Sequence, residues 1–440
     1  MSHTEGRMMD QSRCLVVADD MTGGGDTGAQ FAKKGLRTLL VTQGISAGLP
    51  ADYLDRDVLV LNTHSRAMGA AQARQAVAAI LQWLDLKRFG VIYKKIDSTF
   101  RGNIGAEVDA ILEASGLPVG FLTPAFPEMG RTVKDGILMV KGTPVAETEA
   151  SQDPACPVQD SNLVNLLRRH SCCGIDLVDH RQVASALGLL REAVCRKRQA
   201  GAKILIFDGL ERKDLEAIAE VGFGLQPLPL FIGSAGLAEA VASRFAEKIR
   251  LTPAAPSATT PVAHALVVCG SASAVSRRQL ALMAQITGFP CIEIRSSFAL
   301  QAPSDRAAEE ETNRRTACDA LRRGSVVLSV SAERTAASGV DDRLAAQAIA
   351  EELGGIAASA LTGSGVAPHE VALILTGGDT AMAVLAPLGF EGIEIGGELL
   401  EGIMAGRVTG GRFSGAQVVT KAGAFGKDDA LLRIVKLLTK

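Results

Sequence analysis

Short apolar runs recur along this chain, spaced so that a helix fits between most of them. The first is 14–18, and others lie at 36–42, 58–62, 91–95, 119–122, 175–178, 204–208 and 230–232. A brief apolar run bounded by turn residues suits a strand buried on both faces. Stretches with apolar residues at helical spacing separate many of these runs, at 70–84, 105–114, 183–198, 214–221 and 237–246. Strand and helix in alternation predict a largely parallel sheet with helices on both faces. One interruption, 136–140 and 143–147 on either side of Lys141-Gly142, reads as an inserted hairpin.

Residues 251–262 break the pattern. Pro253, Pro256 and Pro261 stand there among small polar residues, which disfavours helix and sheet and gives a semi-stiff linker. A second alternation follows. Its strands are expected at 265–269, 291–294, 326–330, 371–375, 392–395 and 418–420, and its helices near 276–287, 306–323, 342–361, 380–388 and 428–438. The expected fold class is therefore α/β, in two domains (1–250 and 263–440), each with a mostly parallel sheet flanked by helices. Length agrees, since one core stops growing at roughly 250–300 residues and this chain has 440. No internal repeat interrupts either half.

Composition narrows the partners. Aromatics are only 4% while Gly numbers 46, which suits helices lying close on a sheet. A net charge of −2 supplies no broad positive field, so nucleic acid is not an expected partner. An anionic small molecule remains open, because a local cationic pocket leaves no mark on the total. The 8 Cys include no C-x-x-C pair and no zinc-spaced cluster, and read as free thiols in a reducing compartment. Residues 1–13 are polar, and no apolar run reaches the roughly 18 residues of a membrane span. A cytoplasmic protein without a membrane partner is expected.

Three places concentrate chemistry. At the end of the first run stand Asp19-Asp20-Met21-Thr22-Gly23-Gly24-Gly25-Asp26-Thr27-Gly28. Ligands of open α/β sheets sit beyond the carboxyl ends of strands. Paired acids there repel and need a compensating neighbour. Asp26 or Thr27 reads as the N-cap of the helix that follows. The second place is Lys94-Lys95-Ile96-Asp97-Ser98-Thr99-Phe100-Arg101-Gly102-Asn103, where a strand leads into two lysines, an acid, two hydroxyls and an arginine. Such a cluster can grip a carboxylate or phosphate. The segment 62–66, ending in Arg66, is a weaker signal of the same kind. The third is a set of glycine-bearing turns after strands of the second half: Cys269-Gly270-Ser271-Ala272-Ser273, Thr376-Gly377-Gly378-Asp379-Thr380 and Lys421-Ala422-Gly423-Ala424-Phe425-Gly426. Backbone N–H groups at such turns receive anions, and three of them in one domain suit a nucleotide. No G-x-x-x-x-G-K-[ST] loop, H-E-x-x-H pair, G-x-S-x-G elbow or protein-kinase H-R-D set is present.

Asp19–Gly23, Lys94–Asn103, Thr376–Asp379 and Lys421–Gly426, in that order, resemble the four-carbon acid sugar kinases. The resemblance runs from about Cys14 to near the C-terminus, and 62–68 with 94–105 looks like the D-threonate kinase branch. It implies a sugar-acid-binding N-terminal domain and an ATP-binding C-terminal domain. Asp20, Arg66, Lys94, Lys95, Ile96 and Asp97 would line the acid site, and Ser271, Gly377, Gly378, Asp379, Thr380 and Gly423 would hold the nucleotide. The segment Met21–Gly25 departs from the family pattern, beside the acid site, which bears on substrate choice.

The expected reaction moves the γ-phosphoryl group of ATP to the C4 hydroxyl of a four-carbon sugar acid. D-threonate is the first candidate, with D-erythronate and 3-oxo-tetronate as alternatives. Such a transfer needs positioning and charge stabilisation more than covalent help. Lys94, Lys95, Arg66 and Arg101 would neutralise anionic groups, and Asp20 or Asp97 would orient the acceptor hydroxyl. Mg²⁺ would accompany ATP, with Asp19 or Asp379 as candidate partners. Closure across the linker and a homodimer are further expectations. An NAD(P)-dependent oxidoreductase is a rival, but an acid pair after the first strand would repel a pyrophosphate. A sugar-acid sensor is another, although it would have no use for the Gly-Gly-Asp-Thr turn.

Overall fold

The computed structural model describes residues 12–42, 50–153, 155–250, 259–271, 273–295, 303–331, 342–423 and 425–439. Most of the expected linker, with Ala272 and Ala424 of two motifs, lies outside the described residues. The chain divides into two compact units, Met1–Ala254 and Ala255–Lys440.

In the first unit the strands follow as β1 (Cys14–Ala18), β2 (Thr38–Val41), β3 (Val58–Asn62), β4 (Val91–Lys95), β5 (Gly120–Thr123), β6 (Arg131–Lys134), β7 (Ile137–Val140), β8 (Thr143–Pro144), β9 (Ile175–Val178), β10 (Ile204–Phe207) and β11 (Leu230–Gly233). Eight of them make one sheet in the order β2-β3-β1-β4-β11-β5-β10-β9, and every pairing is parallel. All five residues of β1 are fully buried, as the unbroken apolar run required. Burying a Val or Leu side chain stabilises by about 1.5–3 kcal/mol, so this central strand anchors the unit. Helix α1 (Met21–Ala32) follows β1, α2 (Ala70–Leu81) follows β3, α3 (Ile104–Ser115) follows β4, and α4 (Ala235–Lys248) follows β11. Helix α1 packs with α4, and α2 with α3.

Three details differ from the sequence expectation. The helix after β1 starts at Met21, with Asp20 rather than Asp26 or Thr27 as its N-cap. Gly23–Gly25 therefore lie within a helix. Their lack of side chains admits neighbours: a Cβ on Gly24 would meet Ala18, Leu40 and Val60 at 3.2–3.3 Å. The inserted hairpin does turn at Lys141-Gly142, but its second arm is only the two residues of β8. Its longer partner is β6, which reaches β7 through Asp135-Gly136, both at positive φ.

The second unit contains β12 (His264–Cys269), β13 (Cys291–Ile294), β14 (Val326–Val330), β15 (Val371–Thr376), β16 (Gly392–Leu400), β17 (Ile403–Thr409) and β18 (Gln417–Lys421). The order is β13-β14-β12-β15-β18-β17-β16, parallel up to β18 and antiparallel beyond it. The expected strand at 392–395 is longer, and β17 was not expected. Glycines and glutamates interrupt that stretch, and a β-bulge between Ile395 and Gly397 breaks its alternation. Helix α5 (Ala274–Thr287) follows β12 and α6 (Gly378–Leu385) follows β15. Val267, Ile374, Val419, Leu431 and Ile434 form part of the core beneath this sheet.

Both sheets reverse direction of growth at their first strand. Strand β1 has β3 on one side and β4 on the other, and β12 has β14 on one side and β15 on the other. Such switch points open a crevice beyond the carboxyl ends of the strands. In the first unit that position is occupied by Asp19, Asp20, Ile96 and Asp97. In the second it is occupied by Gly270, Ser271, Gly377 and Gly378.

Candidate active site

Arg66 stands at the centre of the first crevice. Its Nε and Nη2 donate to the two oxygens of Asp19 at 2.8 and 2.9 Å, and Nη2 also reaches Asp20 Oδ1 at 2.5 Å. Its Nη1 lies 3.7 Å from Asp97 Oδ1. One guanidinium thus serves three aspartates that would otherwise repel one another. Burial alone would raise Asp19, but Arg66, with Lys94 and Lys95, holds it below the usual carboxylate value. Burial also opposes ionisation of Asp97, and there Arg101 and Arg66 prevail, holding it well below the ordinary range.

Local structure fixes each member. Asp20 has extended backbone and accepts from Gly23 N at 3.2 Å and from Thr22 Oγ1 at 2.6 Å. Asp97 is gripped by Arg101 through Nε and Nη2 at 2.9 and 3.0 Å, and by the backbone and hydroxyl of Thr99. Arg101 also binds Asp153 at 2.9 Å. Gly102 has φ +101, and a Cβ there would sit 3.1 Å from Asp19 Oδ2, so glycine is required for two reasons. Asn103 donates to the carbonyls of Ser65 and Met68 at 3.2 and 2.8 Å, which ties the Arg66 loop to the start of α3.

Successive side chains of a strand point to opposite faces, and that separates the two lysines. Lys94 is fully buried and pairs with Glu107 of α3 at 2.6 Å. Glu107 also accepts from Ser65 Oγ at 2.5 Å. Burial pushes Glu107 above its ordinary value, against the pull of Lys94. Lys95 lies on the α1 side, where its Nζ would be 2.7 Å from a Cβ on Gly23. Lys95 is 4% exposed, and among the described residues no carboxylate pairs with it. Beside Arg66 and Arg101 opens a cavity of about 190 Å³, lined also by Gly102 and Asn103, with Arg169 and His170 among its further lining residues.

In the second unit, three turns meet at the ends of β12, β15 and β18. A Cβ on Gly270 would fall 2.1 Å from Thr380 Oγ1, and one on Gly423 would fall 2.2 Å from Ser271 Oγ. Gly377 has φ +101 and precedes α6, whose first turn holds Gly378, Asp379 and Thr380. Ser273 caps α5 by accepting from Ser276 N at 3.1 Å. The Gly423 carbonyl accepts from Ser273 Oγ, Ser276 Oγ and Lys421 Nζ at 3.0, 2.7 and 3.1 Å. Among the described residues no group of three or more His, Cys, Asp or Glu could hold a metal ion.

Residues 14–241 match the family model described as a sugar-binding N-terminal domain, and 266–431 match that of a nucleotide-binding C-terminal domain. A D-threonate kinase of Salmonella typhimurium is 34% identical, over 95% of this chain and 96% of that protein. A D-erythronate kinase of Heliobacterium modesticaldum is 31% identical, over 98% of each. A 3-oxo-tetronate kinase of Pseudomonas fluorescens is 30% identical, over 94% of each. The chain belongs to the four-carbon acid sugar kinase family. As a member it is a phosphotransferase acting on a hydroxyl group. A solved structure from Salmonella typhimurium, described as a putative tRNA synthase, aligns with a TM-score of 0.79. It covers 98% of this chain and 100% of that one, and at 23% identity the likeness speaks to the fold alone.

For this family member, the residues named from sequence divide into groups. Asp20, Arg66, Lys95, Asp97 and Arg101 come together at one crevice. Lys94 is enclosed with Glu107 on the opposite face of β4 and acts on the crevice only through its charge on Asp19. Ile96 is wholly buried and its N–H is spent on Gly233 O, so its side chain offers a ligand nothing. Asp19 is gripped through both oxygens by Arg66 and is poorly disposed toward a metal. Glu107, Asp153 and Arg131 were missed. Arg131 of β6 lies near enough to feel the charges of Asp97 and Arg101.

Proposed function

We propose that the chain transfers the γ-phosphoryl group of ATP to the C4 hydroxyl of D-threonate, giving 4-O-phospho-D-threonate. The observation that carries this reading is the cluster of Asp20, Arg66, Lys95, Asp97 and Arg101 at the switch point of the sugar-binding domain. Lys95 is the cation of that cluster left for an anion, and it suits the acid's carboxylate or the transferring phosphoryl group. Asp20 is the most exposed of the three aspartates bound to Arg66 (side chain 17%, against 11% for Asp97 and 2% for Asp19). That favours Asp20 as the group that orients the acceptor hydroxyl and takes its proton. Lys94 and Glu107 act as positioning residues, fixing β4 against α3 so that Lys95 and Asp97 stay in register.

The nucleotide would lie against the turns at Ser271, Gly377–Thr380 and Gly423. The donors there are backbone N–H groups and the hydroxyls of Ser271 and Thr380, which suit phosphate oxygens. Mg²⁺ fits this donor set only as a companion of the phosphates, with Asp379 as the acidic side chain of the cradle. When bound, it would neutralise charge on the transferring group.

Turnover measured by ADP release, with ATP, Mg²⁺ and separately D- and L-threonate, D- and L-erythronate and 3-oxo-tetronate, tests the proposal. The expected result is strong turnover with D-threonate. Preference for D-erythronate or 3-oxo-tetronate would replace the substrate and keep the mechanism. No turnover with any of them, from protein that still binds ADP, would overturn the substrate class.

A further inference from the structure

Lys421 closes β18, is 1% exposed, and has no task in the mechanism above. Its ammonium donates to the carbonyls of Ala422, Gly423 and Phe425 at 2.9, 3.1 and 3.1 Å. An ammonium has three donors, and all three are used. Among the described residues no acidic side chain pairs with it, so three neutral carbonyls are its whole compensation. A lysine is a costly way to fill a core position, since burying a charge without a partner ion is unfavourable. The turn it holds is the one that meets Ser271 at the carboxyl end of the sheet.

Peptide geometry links this clasp to the ligand. A trans peptide carries its N–H on the side opposite its C=O. Turning the Ala422 carbonyl onto Lys421 therefore turns the Gly423 N–H away from the ammonium. The Gly423 carbonyl is held inward as well, by Ser273 and Ser276 in addition to Lys421. We propose that Lys421 is a positioning residue for the nucleotide: it draws the carbonyls of this turn inward so that the Gly423 N–H is offered to a phosphate oxygen. It does not itself touch the nucleotide. The inference rests on the nucleotide-binding reading of this domain and assigns the cradle's shape to one buried cation.

Burial lowers Lys421 to about 8. The clasp is thus charged below that pH and loses its proton above it. The other titratable group bearing on Lys421 is Cys269 of β12, whose thiol burial pushes above its ordinary value, so it stays neutral over the same range. Phosphate groups, with a second pKa of about 6, are already ionised there. Nucleotide affinity should therefore fall as pH rises from 7 to 9.

The test is calorimetric titration of the full chain with ADP at pH 7 and pH 9, for the wild type and Lys421→Met. Melting temperatures and KM for the sugar acid are measured beside it. The wild type is expected to lose affinity several-fold between the two pH values. Lys421→Met is expected to bind ADP about tenfold more weakly at pH 7, with no pH dependence, while KM for the acid changes less than twofold. A folded variant with wild-type affinity and pH profile overturns the proposal. So does a variant that loses both ligands in step with a fallen melting temperature, which is a general structural role. Should the variant not fold, the wild type decides, since a flat affinity from pH 7 to 9 overturns the proposal. A wild type that binds no ADP at pH 7 removes the nucleotide reading, and this inference with it.

Discussion

The crevice beyond β1 and β4 holds Asp19, Asp20, Asp97, Arg66, Lys95 and Arg101, all with charged side chains. The crevice beyond β12 and β15 is made of glycine turns, with hydroxyls at Ser271 and Thr380 and a lysine turned inward. The topology around the two is alike, and on the proposed function the difference lies in what each must recognise. A small hydroxy acid presents one charge and several hydroxyls, and discriminating it takes fixed charges and few, directed bonds. A nucleotide presents several phosphate oxygens, and backbone N–H groups serve those without any buried cation in contact. The acid crevice should therefore be sensitive to removing a charge, and the nucleotide crevice to adding an atom.

Arg66 should give the largest effect. Arg66→Gln leaves three aspartates without their shared partner, and removing one member of a buried pair costs about 3–5 kcal/mol. Both stability and turnover should fall, turnover by roughly 10³-fold, an order expected when a charge-stabilising donor is lost. Pairing Arg66→Gln with Asp19→Asn should restore part of the melting temperature but not the turnover. Recovery of both would mean that Arg66 serves only folding. Lys95→Met comes next. The loss of one charge-assisted contact, about 1.5–3 kcal/mol, predicts a KM for the acid raised roughly 10- to 100-fold with KM for ATP unchanged. An unaltered acid KM would remove Lys95 from the substrate.

How far the chain announces this in advance depends on the kind of signal. The strands could be read because β1, β12 and β15 are apolar on both faces, and β4 is apolar up to its two terminal lysines. The acid cluster could be read because its members fall at strand ends, in segments dense with charge. What could not be read was direction. The period of two says that Lys94 and Lys95 part company, but not which of the two lies beside Asp20 and which pairs with Glu107. Glu107 was legible in principle: it lies three residues after Ile104, on the helical stripe that includes Val108 and Ile111, all buried. A lone acid in that stripe needs a buried cation, and Lys94 is that cation. The cap at Asp20 escaped because three glycines resemble a loop, whereas here they admit Asp20, Lys95 and β3 against the helix. Strand β17 escaped because its partner β16 carries a bulge.

The smallest of these effects, and the sharpest test of the contrast, is one methyl group at Gly423. The alanine Cβ would stand 2.2 Å from Ser271 Oγ and 2.9 Å from Ser271 Cβ, distances at which something must shift. Ser271 can rotate away, or the turn can move, and either displaces a donor from the cradle. KM for ATP should rise about tenfold, the loss of one charge-assisted hydrogen bond, with KM for the acid unchanged. The matching addition in the acid crevice is Gly23→Ala, whose Cβ would meet Asp20 Oδ1 and Lys95 Nζ at 2.4 and 2.7 Å. The Lys95 ammonium sits at the end of a flexible chain and can yield, but Asp20, the cap of α1, must shift as well, so KM for the acid should rise with KM for ATP unchanged. If Gly423→Ala leaves KM for ATP unchanged while Lys95→Met raises it, the nucleotide is read by side-chain charge after all, and the contrast between the crevices falls.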